Sequence, residues 1–379
     1  FDAISSGRLV FTNGSKGNNE IFGGLLPEYQ SQDQLIKLLG YYLENDDERD
    51  KKVKELQEIV LNNHTYTHRA NRLREILTEY ANKKRITIKI PAPSWDEVHK
   101  WGDFYLAEGL MREFIKKGIG VQLQVLPEWD GYTDSNSDIV LVLRGLSEYK
   151  PKLHHCNMMW NISHPDLVSL EEYSKYDYVF IASKKWADEI TKKLDIPVEC
   201  MWQCTDTSRF YPDYNEDYRH ELLFVGNSRK VYRKILKDLL PTEHELAVYG
   251  SDWADLIDEK YIIDEFVSNK DLRKLYSSCG VLLNDHWKDM REKGFVSNRI
   301  FDALACGSCV ISDDIDGLEE LFSDAVHTYK NKEDLDELIN KCLNEKTENI
   351  QELIKGHTYE SRVNQIMNVL KQNDHLKKD

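Results

Sequence analysis

The sequence predicts an α/β protein in which two parallel sheets, each flanked by helices, face one another across a cleft, with an α/β fragment placed before them. Three observations predict it. Strand-like and helix-like runs alternate from residue 85 to residue 311, they fall into two series joined around Thr205–Glu216, and the first 80 residues copy the end of the chain. At 379 residues the polypeptide is long enough for two or three domains.

The copied segment comes first. Phe1-Asp2-Ala3-Ile4-Ser5-Ser6-Gly7 reads like Phe301-Asp302-Ala303-Leu304-Ala305-Cys306-Gly307, and at the same offset of 300 the match runs on through Gly17/Gly317, Glu20/Glu320, Phe22/Phe322, Tyr29/Tyr329, Leu35/Leu335 and Leu43/Leu343. Twelve of the first 45 positions are identical without a gap, where ordinary residue frequencies would give roughly three. After a seven-residue insertion, His64-Thr65-Tyr66, Arg69, Asn71 and Leu77 match His357-Thr358-Tyr359, Arg362, Asn364 and Leu370. Amphipathic helices share leucines by convergence, but not this string. Residues 1–80 are therefore expected to be the tail half of an upstream copy, in the C-terminal portion of a longer tandem polypeptide, and to form no active site by themselves.

Arg85–Pro93 is β-rich and stops at prolines, which predicts a first strand and loop. Phe104, Leu106, Leu110 and Phe114 recur at helical spacing over 103–117. Apolar runs at 121–125, 138–143, 158–162 and 178–182 predict further strands, the last followed by a helix over 184–194. The second series has strands at 222–225, 246–249, 281–283 and 309–311 and helices over 229–239, 270–277 and 298–305. Such alternation yields Rossmann-like domains, with ligands beyond the C-terminal strand ends. The expected division is 1–80, 86–205, 216–350 and a closing segment 351–379.

Composition excludes several classes. A net charge of −16 repels a nucleic-acid backbone, and no run of 18 apolar residues is present. The seven cysteines show no framework spacing, and a reducing cytoplasm suits them. Cys306-x-x-Cys309 has no second pair or histidine at ligand spacing, so it reads as two small residues entering a buried strand. No metal site is expected.

Two stretches carry the chemistry. In 282–307 a strand end leads through a polar loop and Gly294 to a helix, and the amides of Phe295, Val296, Ser297 and Asn298 are expected to face the cleft, where a helix start favours phosphate. Arg299 sits at that start and Asp302 one turn on; the competing reading is a surface Arg–Asp pair on an ordinary capped helix. In 224–234 a strand runs into Gly226, Asn227 and Ser228, and then Arg229, Lys230, Arg233 and Lys234 are expected to open a helix. Cations at a helix start are unfavourable unless an anion binds there. There is no Walker lysine arrangement, no Gly-x-Gly-x-x-Gly after the first strand, and no carboxylate pair that stands out as flanking a glycosidic bond, which disfavours an ATPase, a nicotinamide dehydrogenase and a glycoside hydrolase.

Phe224-Val-Gly-Asn-Ser-Arg229, Val248-Tyr-Gly250, Leu272-x-x-Leu-Tyr276, Leu283-Asn-Asp-His286, Gly294-Phe-Val-Ser-Asn-Arg-Ile-Phe-Asp-Ala-Leu-Ala-Cys-Gly307 and Asp316-Gly-Leu318 occur in one order. That order resembles the C-terminal domain of GT-B-fold glycosyltransferases of group 1 (family 4-like), most of all their CgeB-type branch. Trp101-Gly-Asp103, Trp160–Asp166 and Cys204–Pro212 extend the resemblance over about residues 86–371. It implies transfer of a hexose or deoxyhexose from a nucleotide-diphosphate-sugar (a UDP-sugar first, a GDP- or dTDP-sugar otherwise) to a glycan or lipid-linked acceptor. Retention of configuration is implied as well, as is a role in surface polysaccharide or glycoconjugate synthesis, in the cytoplasm or at the inner face of the membrane, with at most peripheral membrane association. No further cofactor is implied.

In that resemblance Gly226, Asn227, Ser228, Arg229, Arg233, Lys234, Asn284, Asp285, Val296, Ser297, Asn298, Arg299 and Asp302 would hold the donor. Fixed cations would stand where other enzymes use a metal, and Asp302 would take the ribose. His164, after a strand, would face the donor sugar or else cap a turn with Pro165. Asp103 would cap its helix or contact the acceptor. Of the two glutamates the wider group separates by seven residues, Asp302 replaces the second and Gly294 the first. Glu292, or Asn284 and Asp285, are left as alternatives for the sugar-hydroxyl role. A rival reading is a non-catalytic nucleotide-sugar-binding or scaffold unit of a multidomain polysaccharide synthase.

Overall fold

The computed structural model describes residues 1–14, 16–81, 84–131, 137–344 and 351–372; residues 373–379, the end of the expected closing segment, lie outside them. The chain divides into two compact units, Phe1–Lys83 and Lys84–Asp379.

In the second unit, β1 (Arg85–Lys89), β2 (Gly120–Gln124), β3 (Ile139–Arg144), β4 (Cys156–Asn161), β5 (Tyr178–Ile181) and β6 (Val198–Cys200) form a sheet in the order β2-β1-β3-β4-β5-β6. A second sheet of β7 (Leu222–Val225), β8 (Leu246–Tyr249), β9 (Ile262–Asp264), β10 (Val281–Asn284), β11 (Cys309–Asp313) and β12 (Val326–Tyr329) has the order β12-β11-β10-β7-β8-β9. Every pairing is parallel. The α/β class and the two-sheet architecture are those the sequence predicts. Central strands such as β3 and β4 are buried along their whole length, as continuous apolar runs require.

One helix starts later than expected. Residues 229–233 are loop, and the helix is Lys234–Leu239. Arg229 and Lys230 have φ of 50° and 61°, a left-handed backbone that no α-helix accommodates. The turn is fixed by Ser228, whose Oγ accepts from Lys230 N–H at 3.0 Å and whose carbonyl accepts from Val231 N–H at 3.0 Å.

The closing helix, Tyr359–Gln372, returns to the first sheet. Tyr359, Val363, Ile366, Met367 and Leu370 are buried in one core with Leu106, Leu110 and Phe114 of helix Gly102–Lys116. Gly109 allows the approach, since a Cβ there would lie 2.5 Å from the Tyr359 ring. Arg362 locks the contact by donating to the carbonyls of Trp202 (2.6 Å) and Gln203 (2.9 Å).

The first unit has its own small core of Ile4, Phe22, Leu26, Leu56 and Val60. It is mostly helical, with an isolated parallel bridge between Thr12 and Glu28. Its elements fall at the offsets of the sequence match. Helices Asn18–Phe22 and Gln32–Glu44 stand 300 residues before Leu318–Phe322 and Lys332–Asn344, and the Thr12–Glu28 bridge stands 300 before the β11–β12 pair Ser312–Thr328. Arg69 bonds His64 Nδ1 at 2.8 Å, as Arg362 bonds His357 Nδ1 at 2.7 Å. Among the described residues no helix is long and apolar enough to cross a membrane.

Candidate functional site

The segments that follow the C-terminal ends of β4 in one sheet and of β7 and β10 in the other meet at His164, Arg229 and Asp289, on the cleft between the sheets. His164 stands just past β4 with φ 51° and ψ 54°. A left-handed, non-glycine residue before proline is strained, and such strain collects at working sites. Its Nε2 accepts from Arg229 Nη1 at 3.3 Å, and its Nδ1 lies 3.8 Å from Asp289 Oδ2. Burial holds the imidazole below its ordinary pKa, with Arg229 and Arg144 adding to the effect against Asp289.

Asp103 lies within the first turn of helix Gly102–Lys116, whose N-cap is Trp101, so the capping role is not its own. Burial raises its pKa to about 6 against the opposing field of Arg229. A carboxyl with that value exchanges a proton near neutral pH. The space beside it is kept open by Gly145, where a Cβ would lie 3.2 Å from Ser163 Oγ and 3.6 Å from Asp103 Oδ2.

On the other wall, Arg299 donates to Asn284 Oδ1 at 2.6 Å, and Asn284 in turn donates to Ser312 Oγ at 3.0 Å. Gly226 leaves the guanidinium its place, since a Cβ there would stand 2.8 Å from Arg299 Nη2. Arg233 is buried and paired with both carboxylate oxygens and the carbonyl of Asp285. Trp287 braces this corner, with the Arg233 guanidinium 4.2 Å and the Arg229 guanidinium 5.5 Å from its ring centroid. Among the described residues, no carboxylate comes within ion-pair distance of Arg229 or Arg299. Two guanidinium groups with no ion-paired carboxylate among the described residues, one of them deeply desolvated, are the kind of groups that an anion would satisfy.

Several expectations are revised by the geometry. The amides of 295–298 are not an open row: Phe295 N–H bonds Met290 O (2.9 Å) and Ser297 N–H bonds His286 Nε2 (3.0 Å), while Val296 is core. Asn298 donates to Asp302 at 2.9 Å, and its buried Oδ1 has no hydrogen-bond partner. Arg299 and Asp302 are not a surface pair. Both Asp302 oxygens are occupied, by Thr205 Oγ1 (2.7 Å) and Asn298 Nδ2 (2.9 Å), so the carboxyl ties the interdomain connector to the helix rather than lying open to a ribose. Burial lifts its pKa to about 8.

Lys234 is drawn off by Asp238 and the Tyr329 hydroxyl. Asn227 accepts from Ser251 N–H at 3.0 Å, and Ser228 donates to the Asp252 carbonyl, so both shape the loop. Glu292 is out in solvent, 58% exposed and 3.8 Å from Lys288. The helix that carries it, Lys288–Lys293, directs its buried Met290 into the first domain's core instead.

Residue-by-residue reading missed His286 and Asp313. Because Ser297 N–H donates to His286 Nε2, the ring proton sits on Nδ1 and donates to Asp313 Oδ1 at 2.6 Å. Burial pushes Asp313 up, but His286 and Arg291 outweigh it and hold the carboxyl below its ordinary range. The pair fixes the start of helix Asn298–Ala305, and with it Arg299. The histidine beside Asn284-Asp285 was a visible signal; its partner, 27 residues away, was not.

A family model described as glycosyl transferase-like matches residues 1–77 and 229–368, together more than half of the chain. Among curated proteins, no match to this chain was found. Among solved structures, sucrose-phosphate synthase from Thermosynechococcus elongatus aligns with a TM-score of 0.61 at 12% identity, over 78% of this chain and 100% of that one. The N-terminal domain of trehalose-6-phosphate phosphatase from Candida albicans aligns at 0.53 and 11%, over 78% and 97%. An alpha-glucosyltransferase solved with UDP and a 13-mer DNA aligns at 0.51 and 12%, over 78% and 100%. Identities this low speak for the shared two-sheet fold alone.

Proposed function

We propose that this chain, which belongs to the glycosyl transferase-like family, moves a sugar from a nucleotide-diphosphate donor to an acceptor hydroxyl in the cleft between its two sheets. The observation that carries the reading is two guanidinium groups without ion-paired carboxylates among the described residues: Arg299, packed at Gly226, and Arg229, in the loop that follows Gly226 and bonded to His164. As the bond between the anomeric carbon and the diphosphate oxygen breaks, negative charge grows on the leaving group. Guanidinium groups already in place stabilise it without reorganisation. Arg233, neutralised by Asp285, acts by supporting Trp287 and thus Arg229.

His164 faces the donor from the opposite wall, neutral and hydrogen-bonded to Arg229. The acceptor hydroxyl attacks the anomeric carbon from the face the diphosphate leaves and passes its proton to the departing phosphate oxygen, while Asp103, with a pKa raised to about 6, orients that hydroxyl by a hydrogen bond. The buried, unpartnered Oδ1 of Asn298 would accept from a donor hydroxyl. The reading extends to a retaining, metal-independent reaction with a UDP-sugar first and GDP- or dTDP-sugars next, on a glycan or lipid-linked acceptor, in the cytoplasm or at the inner face of the membrane. Residues 1–80 stand in it as the tail of a tandem unit, within the CgeB-type branch.

Gly294 at the first glutamate position, with Glu292 in solvent, favours a second reading as a nucleotide-sugar-binding unit without turnover. Incubation with UDP-, GDP-, dTDP- and CMP-sugars separates the two. Release of a nucleoside diphosphate that falls in His164→Ala supports transfer. Binding without release by the wild type supports the second reading, and neither binding nor release contradicts both.

A further inference from the structure

We propose that Cys309, His327 and Cys342 bind a thiophilic d10 cation, Zn2+ foremost, at the end of the second sheet opposite the cleft. The three come from three elements, and their ligand atoms all lie within 4.8 Å of one another. Strand register brings them together. His327 on β12 pairs with Ile311 on β11, and Cys309 lies two residues before Ile311, so the period of two puts both side chains on one face. Helix Lys332–Asn344 covers that face and brings Cys342 down onto it, with Leu335 and Ile339 in the same core.

Two thiolates and an imidazole are the donor set that zinc and monovalent copper select over hard cations. Around a tetrahedral zinc, ligand atoms stand about 3.8 Å apart given Zn–S bonds of about 2.3 Å, so small side-chain adjustments close the site. Both cysteines are buried, while His327 also lines an open cavity of about 690 Å³ with Asp324, Thr328 and Lys341. The cavity supplies an entry path and a water for the fourth position. Cys306, four residues from Asp302 and in the opposite core, has no part in it. In the copied segment, 300 residues earlier, the three positions are Leu9, Pro27 and Tyr42, so all three ligands are absent there together.

Cys309 opens β11 whereas Asp313 closes it at the cleft, a separation of about 13 Å at the usual rise. The ion therefore does not touch the reacting groups. It clips the edge strand β12 and its following helix to the sheet. On binding, each thiol releases its proton to solvent and the neutral imidazole offers a lone pair, so affinity rises with pH.

The test is anaerobic titration of the reduced full chain with Co2+ as a spectroscopic probe. The expected result is a thiolate-to-cobalt charge-transfer band with tetrahedral d–d absorption, saturating at one ion per chain and displaced by Zn2+. It should vanish in Cys342→Ser, weaken in His327→Gln and persist in Cys306→Ser, with far-UV dichroism verifying that each variant folds. No charge-transfer band in the wild type overturns the proposal, whatever the variants do. So does a band that survives Cys342→Ser but is lost in Cys306→Ser.

Discussion

Arg229 reaches across the cleft and donates to His164, Nη1 to Nε2 at 3.3 Å, joining the second sheet's first loop to the end of a strand in the other sheet. Both residues hold left-handed backbones, so each is kept in a costly conformation by its surroundings for a contact that neither domain makes alone. If they act as one unit, their removal is not additive. His164→Ala and Arg229→Ala should each lower kcat at least about tenfold, and the double variant should cost little more than the worse single one. Glu292→Gln, on an exposed helix face, should leave kcat and KM unchanged. Steady-state kinetics with the preferred donor checks all four.

The carboxyl of Asp302 should set a pH dependence of stability. With its folded pKa raised to about 8, the folded chain holds a proton that the unfolded chain has lost, so its contribution is full below about pH 4 and disappears as pH rises through 8. His357, held down to about 4 by burial, works in reverse and matters only below its ordinary value of 6.5. Between pH 6.5 and 8 the unfolding free energy should therefore fall, by at most about 1.4 kcal/mol per pH unit for one group. Asp302→Asn should flatten that slope in denaturant unfolding. An unchanged slope would place the carboxyl at an ordinary pKa.

Arg362 and Arg69 occupy matching places in the two copies with unequal surroundings. Arg362 is 6% exposed and is bonded to the backbone carbonyls of Trp202, Gln203 and Gly356. Arg362→Ala leaves buried carbonyls unsatisfied and should cost about 2–4 kcal/mol in unfolding. Arg69 is exposed, and Arg69→Ala should change stability by no more than about 0.5 kcal/mol.

Activity should not depend on added divalent metal, because the charge facing the leaving group comes from Arg229 and Arg299. After gel filtration against chelator, turnover should equal that with Mg2+ or Mn2+ restored. A strict requirement for either ion would mean that a cation, not these side chains, meets the diphosphate.

The central strands were legible because buried parallel strands are continuous apolar runs. β6, β9 and β12 were not: each is an edge strand of three or four partly exposed residues, too short and too polar to form a pattern. The site was legible where one local segment carried it, as for Arg299 beside the strand of Asn284. It was not legible where partners are far apart in sequence. Asp302 looked free beside its helix and is bound by Thr205, 97 residues away, and Asp313 became relevant only through His286. Arg229 was picked out by a helix-start argument that fails, since its loop is not helical. Its place in the cleft instead comes from a left-handed turn that no composition rule foresees.

The most direct test of the central claim is calorimetric titration of UDP, and then of GDP, dTDP and CMP, into the wild type, Arg229→Ala and Arg299→Ala. The account predicts that one nucleoside diphosphate binds the wild type. Arg299→Ala should weaken it by about 1.5–3 kcal/mol, the value of a charge-assisted contact, and Arg229→Ala should weaken it in the same direction, both without loss of folding. Binding of no nucleotide, or equal affinity in all three proteins, would contradict the assignment of this cleft as a nucleotide-sugar site.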